Sequence, residues 1–202
     1  NHRYFKYDHV RQGKRQPGST FKTFVYGAAI DAGFGPCDVR QDISPHIPVP
    51  GGEWVPRNAG GDYGTGQSMT LREAMAKSVN SITAQMMMTV TPANVVEFAH
   101  SAGIKSELDA VPALCLGVSD VSLYELVGAY GSFVNGGLYT EPRYITHIED
   151  KNGNVLYRAV PKSRQAMSEE TAYKIIYMLR GGVEIEGGTS GGIPADLKED
   201  NE

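Results

Sequence analysis

Cysteine is scarce in this chain of 202 residues: Cys37 and Cys115 stand alone, 78 positions apart. Two such residues make neither a zinc knuckle nor a disulfide framework, and sequence separation alone does not say whether they meet. There is no basic excess either. The 19 Lys+Arg against 23 Asp+Glu leave a net charge of −4, whereas a nucleic-acid surface shows a cationic surplus, so no nucleic-acid partner is expected. No apolar run approaches about eighteen residues, so the chain is not expected to span a membrane. It opens at Asn1 without Met, a basic n-region or an apolar h-region, so no signal peptide is expected. It closes on the polar stretch from Asp196 to Glu202, and both ends read as cuts. No metal or cofactor is expected.

What is present is ordinary globular material: 41% apolar and 21% charged residues, enough for one sizeable core. Pro17-Gly18 is a turn, and Ser19 is placed at the cap or in the first turn of a core-facing helix whose apolar residues Phe21, Phe24, Val25, Ala28 and Ala29 recur at helical spacing, with Gly33 as the stop. A long Pro- and Gly-rich loop from Phe34 to Ser68 follows. Loops of that length are uncommon in compact domains unless they serve a function. Trp54 and Tyr63 within it either pin it to the body or line a groove, and the second reading makes them candidate substrate-binding residues.

Thr70-Leu71-Arg72-Glu73 and Ser122-Leu123-Tyr124-Glu125 are capping boxes. Thr91-Pro92 starts another helix, ended by Gly103. Between them lies a Met-rich apolar segment, Ser81 to Val90, in which Met86 to Met88 read as core filler rather than a cofactor site. Tyr144 to Glu149, the Asn152-Gly153 turn and Val155 to Val160 read as a β-hairpin. Ser168 caps a last helix through Leu179, stopped by Gly181-Gly182. Residues 183–202 read as a flexible tail. The total is about six helices and one hairpin.

Two short motifs carry chemistry. Ser19-Thr20-Phe21-Lys22 puts a hydroxyl and an amine on one face of a helical first turn. A serine becomes a nucleophile when a base takes its proton, and a lysine is that base only when its pKa is depressed. Backbone N–H groups at the same turn are suited to an oxyanion. Ser78-Val79-Asn80 follows 56 residues after Lys22, at a junction between helices.

In that order, Ser-x-x-Lys then Ser-x-Asn resembles the motif series of penicillin-binding proteins and serine β-lactamases. The flanking blocks narrow the likeness to the transpeptidase domain of class A penicillin-binding proteins. They are Arg15 to Lys22, Trp54-Val55-Pro56-Arg57-Asn58, Thr70 to Asn80, Leu114-Cys115-Leu116-Gly117-Val118, Phe133-Val134-Asn135-Gly136-Gly137 and Met178-Leu179-Arg180-Gly181. The resemblance implies an α+β fold of the penicillin-binding-protein and serine β-lactamase type. It implies a peptidoglycan D,D-transpeptidase, with no cofactor and no metal. Ser19 would attack the penultimate D-Ala carbonyl of a stem peptide, Lys22 would be the base, Ser78 would relay the proton to the leaving amine, and Asn80 would bind the acyl chain. The implied partners are peptidoglycan stem peptides on lipid II-derived glycan, and β-lactams that trap Ser19. The family also implies a membrane anchor, a glycosyltransferase domain and a place on the outer side of the bacterial inner membrane.

The sequence departs from that pattern in one large respect. None of its nine lysines is followed by Thr-Gly or Ser-Gly, so the family's third motif is absent. The chain is therefore read as a partial transpeptidase domain over 1–202, mainly the helical half with a peripheral hairpin, and is expected to be catalytically impaired. Two rival readings stand beside it. A serine β-lactamase would need a water-activating glutamate, but Glu97, Glu107 and Asp109 sit in no Glu-x-x-x-Asn loop. A non-catalytic scaffold would keep the fold without its chemistry.

Overall fold

A computed structural model describes Tyr4 and residues 6–193. The acidic end at Asp196 to Glu202 and most of the last ten residues of the expected tail lie outside the described residues.

Six α-helices form the body: α1 Lys22–Asp31, α2 Leu71–Ala76, α3 Asn80–Val90, α4 Pro92–Ala102, α5 Leu123–Val134 and α6 Glu169–Glu184. The capping chemistry operates as the sequence implies. Thr70 and Glu73 close a reciprocal capping box on α2, Ser122 and Glu125 do so on α5, and Thr91 with Pro92 opens α4. Of the two places expected for Ser19, cap or first turn, it takes the turn: a 3-10 turn, Gly18–Phe21, runs straight into α1, and the local side-chain bond is Thr20 Oγ1 to the Pro17 carbonyl at 2.7 Å. The apolar residues expected to face the core do so, and burial extends beyond them. All of Lys22 to Ile30 is buried, because α3, α4 and α6 pack around this helix on several sides. Gly27 permits the tightest of these approaches, since a Cβ there would sit 2.3 Å from the Phe98 ring on α4. The surrounding core joins Phe21, Phe24, Ile82, Met86, Met87, Leu114, Phe133, Ile175 and Met178.

The strands are more numerous than expected and very short. Lys14–Arg15 pairs with Val121–Ser122, Val39–Gln41 with Ser68–Thr70, Ile47–Val49 with Gly52–Trp54, Leu138–Thr140 with Ser163–Gln165, and His147–Glu149 with Val155–Arg158, all antiparallel. Only the last was anticipated, and its strands are shorter than Tyr144 to Glu149 and Val155 to Val160. Every residue of both its strands is exposed. The stretch 34–68 is thus partly ordered into strand pairs rather than a plain loop. No sheet among the described residues exceeds two strands. Helix α6 runs through Gly181 and Gly182 to Glu184; both glycines are buried within it, and a Cβ on Gly181 would come within 3.2 Å of the Ala76 Cβ. The first two residues of the stretch read as a tail, 183 and 184, thus belong to α6. Beyond it the chain folds back, with the Thr189 N–H donating to the Ala76 carbonyl and Ser190 N–H to that of Gly182. No helix among the described residues is long and apolar enough to cross a membrane.

Glu125 ties the α4–α5 region together. Its carboxylate accepts from the Ser122 N–H and hydroxyl, the Lys105 N–H at 2.9 Å and the Ser106 hydroxyl at 2.7 Å. Partial burial opposes the charge, but these four donors outweigh it and hold the pKa below the usual glutamate value. A depressed folded-state pKa adds stability above the unfolded value near 4.3, and that stability is lost as pH falls through the folded value. Thermal melts should accordingly show Glu125→Ala about 2 kcal/mol less stable than wild type at pH 7. The gap should narrow steadily below about pH 4.

Candidate active site

A cavity of about 280 Å³ opens beside the turn that begins α1. Ser19 and Lys22 line it with Ser78, Tyr130 and the ends of α2 and α6. Lys22 is only 2% exposed. Its ammonium donates to the Ser78 carbonyl at 2.6 Å, the Ser78 hydroxyl at 2.9 Å and Asn80 Oδ1 at 2.6 Å. These three acceptors use all three of its protons. Burial nevertheless lowers its pKa to about 8, while nearby Cys115 pulls weakly the other way. Three of the four residues singled out from sequence therefore converge. The fourth, Ser19, lines the same cavity, is exposed, and has no hydrogen-bonded side-chain partner among the described residues.

Each position has a local cause. Ser78 sits just past α2 with φ of 55°, in the left-handed region. Its N–H bonds the Met75 carbonyl and the Val79 N–H bonds that of Ala74, which together make a Schellman stop. Glycine normally fills that position. Serine there turns its own carbonyl and hydroxyl together onto Lys22. Asn80 opens α3, with Nδ2 donating to the Arg57 carbonyl at 2.7 Å. That bond orients the amide so that Oδ1 faces the amine. The Ser19 turn is braced from behind by Gly117, whose carbonyl accepts from the Gly18 N–H at 3.3 Å. Gly117 has φ of 71°, and a Cβ on it would fall 2.2 Å from the Gly18 oxygen, so only glycine fits there.

The two aromatic candidates, Trp54 and Tyr63, do not line the cavity. Trp54 is half-buried against the core, cross-strand from Ile47. Tyr63 is engaged at the surface, with Arg57 over its ring at 4.9 Å and bonded to its hydroxyl at 3.0 Å. Sequence reasoning missed Tyr130 and Asn58. The Tyr130 hydroxyl bonds the Thr20 carbonyl at 2.7 Å and the Thr23 hydroxyl at 2.8 Å, which steadies the same turn. Asn58 caps α3 from 22 residues upstream, and its only sequence signal was the Trp-x-Pro-x-Asn block. The cysteines are unpaired: Cys37 is exposed and Cys115 buried, its thiol pushed up to about 12 chiefly by burial. Among the described residues no His, Cys, Asp and Glu cluster is suited to a metal ion.

Strain at Ser78 is separable from its chemistry. Both Ser78→Ala and Ser78→Gly remove the hydroxyl, but only glycine relaxes the left-handed backbone. Chemical denaturation should find Ser78→Gly about 1 kcal/mol more stable than Ser78→Ala. Equal stabilities would mean that the backbone at Ser78 is unstrained.

Comparison with known proteins agrees with this geometry. The family model described as the penicillin binding protein transpeptidase domain matches residues 5–198. Penicillin-binding protein 2D of Bacillus subtilis is 32% identical over 182 residues, covering 89% of this chain and 26% of that protein. Penicillin-binding protein 1A of Rickettsia typhi is 37% identical over 155 residues, covering 76% of this chain and 20% of that protein. The chain thus spans about a quarter or less of the length of these relatives. Among solved structures, penicillin-binding protein 1A from Haemophilus influenzae superposes with a TM-score of 0.84 at 28% identity, covering 95% of this chain and 34% of that one. With the α+β architecture and both motifs meeting at one cavity, the chain belongs to the penicillin-binding-protein transpeptidase family, among the class A members.

Proposed function

We propose that the chain supplies the acylating half of a peptidoglycan D,D-transpeptidase site, with Ser19 as nucleophile, Lys22 as base, Ser78 as proton relay and Asn80 as the group that holds Lys22. The observation that carries this reading is a buried lysine, its pKa lowered to about 8 by burial, at the wall of the cavity that Ser19 lines. An ordinary lysine near 10.4 is almost wholly protonated at neutral pH and useless as a base. At about 8 a useful fraction is neutral. A neutral amine has two N–H donors and one lone pair. The Ser78 carbonyl and Asn80 Oδ1 can only accept, so they take the two donors. The lone pair is left for a hydroxyl.

The chemistry then balances in two stages. Ser19 Oγ attacks the carbonyl carbon of a D-Ala-D-Ala terminus and Lys22 takes its proton. The tetrahedral intermediate collapses as Ser78 protonates the leaving amine and recovers a proton from Lys22. An amine of a second stem peptide reverses the sequence and releases Ser19. A β-lactam, whose strained amide resembles the same terminus, would acylate Ser19 and stay. Asn80 has a more specific part here than binding the acyl chain alone, since its Oδ1 is already engaged by Lys22. No carboxylate lines the cavity among the described residues, which favours acyl transfer to an amine over β-lactamase-type hydrolysis. The far wall of the cleft, with a second oxyanion donor and a cation, is the part that a Lys-Thr-Gly strand provides in the family, and none of these nine lysines begins one. By likeness to its relatives, the protein acts at the bacterial cell envelope on glycan-linked stem peptides.

Peptide mapping after exposure of the protein, in its longest natural form, to a penicillin should place the adduct on the peptide that contains Ser19. Lys22→Ala should slow adduct formation by about 10²-fold or more. An adduct elsewhere with Ser19 unmodified would overturn the assignment.

A further inference from the structure

We propose that Asn58 is a positioning residue for Lys22, acting through Asn80 and held in turn by the buried carboxylate of Asp42. The inference rests on the reading of Lys22 as base. Helix α3 begins without a capping side chain of its own, because Val79 stands in the cap position and has no side-chain oxygen. Asn58 does this work from a distant segment. Its Oδ1 accepts from the Asn80 N–H at 2.9 Å and the Ser81 N–H at 3.2 Å, and its Nδ2 donates to Asp42 Oδ1 at 3.0 Å and to exposed Asp62 Oδ1 at 3.1 Å. The neighbouring Arg57 carbonyl holds the side chain of the same Asn80. Consecutive residues of one segment therefore fix both the backbone and the amide of the residue that accepts from Lys22.

Asp42 is the anchor. It is 2% exposed and accepts also from the Thr65 N–H at 2.8 Å, the Thr65 hydroxyl at 2.9 Å and the Ser81 hydroxyl. Burial opposes its charge, but these donors together hold its carboxyl below the usual aspartate value. The 34–68 segment is thus fastened to the N-terminus of α3 by a charged, fully satisfied knot. Its function is to keep Asn80 Oδ1 on the Lys22 amine. An acceptor on the ammonium favours the charged form, so releasing Asn80 both misplaces the base and lowers its pKa.

The test compares wild type, Asn58→Ala, Asn58→Asp and the double variant Asp42→Asn with Asn58→Asp, all in the longest natural form of the protein. The rate of acylation by a fluorescent penicillin is followed across pH 6–10 on folded protein, with thermal melts alongside. Other titratable groups near Lys22 are Cys115, behind the site, and Tyr130 on α5. Burial raises both, Cys115 to about 12, so neither titrates in this window. Wild type should show an acid limb near 8, the value for Lys22. In Asn58→Ala the plateau should fall about tenfold or more, and the limb should move down by about half a pH unit or more. Asn58→Asp should behave similarly, because two carboxylates then face each other without a proton between them. The double variant restores the bond between positions 42 and 58 in mirror form, while position 58 loses its donor to Asp62, so it should recover part of the plateau and of the limb relative to Asn58→Asp. A limb that is unmoved or displaced upward in Asn58→Ala, whatever its melting temperature, would overturn the proposal and leave Asn58 a purely structural cap. So would a double variant no better than Asn58→Asp. If wild type itself is not acylated at Ser19, the reading of the site fails first, independently of Asn58.

Discussion

Everything distinctive about this molecule follows from burying one amine. A lysine at 2% exposure must either be neutralised or surrounded by acceptors. Lys22 is given acceptors, two of them carbonyl oxygens with no proton to return. The hydrogen bonds hold the charge and burial opposes it. Burial prevails by enough to bring the pKa to about 8 rather than to the far lower values of an amine without partners. That balance suits a group that must take a proton and later give it back near neutral pH. A more polar pocket would leave the amine permanently charged. An apolar one would leave it neutral but without direction.

The cost of this arrangement is spread over its supports. Ser78 occupies a left-handed position that glycine would fill with less strain. Gly117 has surrendered any side chain so that the Ser19 turn can be braced from behind. Helix α3 starts without a local cap and depends on a segment 22 residues away. Such local departures from the best propensity are expected at a working site. The surrounding core is conventional: a central α1, aromatic packing among Phe24, Phe98, Tyr130 and Phe133, and helices capped by their own residues.

What could be read from the sequence was what is local. Both capping boxes, the Thr91-Pro92 start and the Asn152-Gly153 turn involve residues within a few positions of each other, and all are present. Ser19 and Lys22 could be paired by helical spacing alone, and the order of the two motifs joined Ser78 and Asn80 to them. What could not be read was long-range. Strands of two or three residues, such as Lys14–Arg15 against Val121–Ser122, have no periodicity to detect and exist only through a distant partner. The complete burial of α1 depends on how many helices surround it. The large aromatics Trp54 and Tyr63 lie off the cavity. The 34–68 segment is fastened by small polar groups, Asp42 and Asn58, whose partners lie on another element. One signal was available: α2 stops without a glycine, which already marks Ser78 as unusual.

The claim on which this account stands is that Lys22 is a buried, weakly basic amine in the folded protein. It can be measured without any substrate by labelling the lysine side chains with carbon-13 and following their ε-carbon resonances with pH, with Lys22→Arg identifying the signal. The account predicts one lysine titrating near 8, well separated from the others. A Lys22 resonance that titrates with the rest, near the ordinary value of about 10.4, would contradict it.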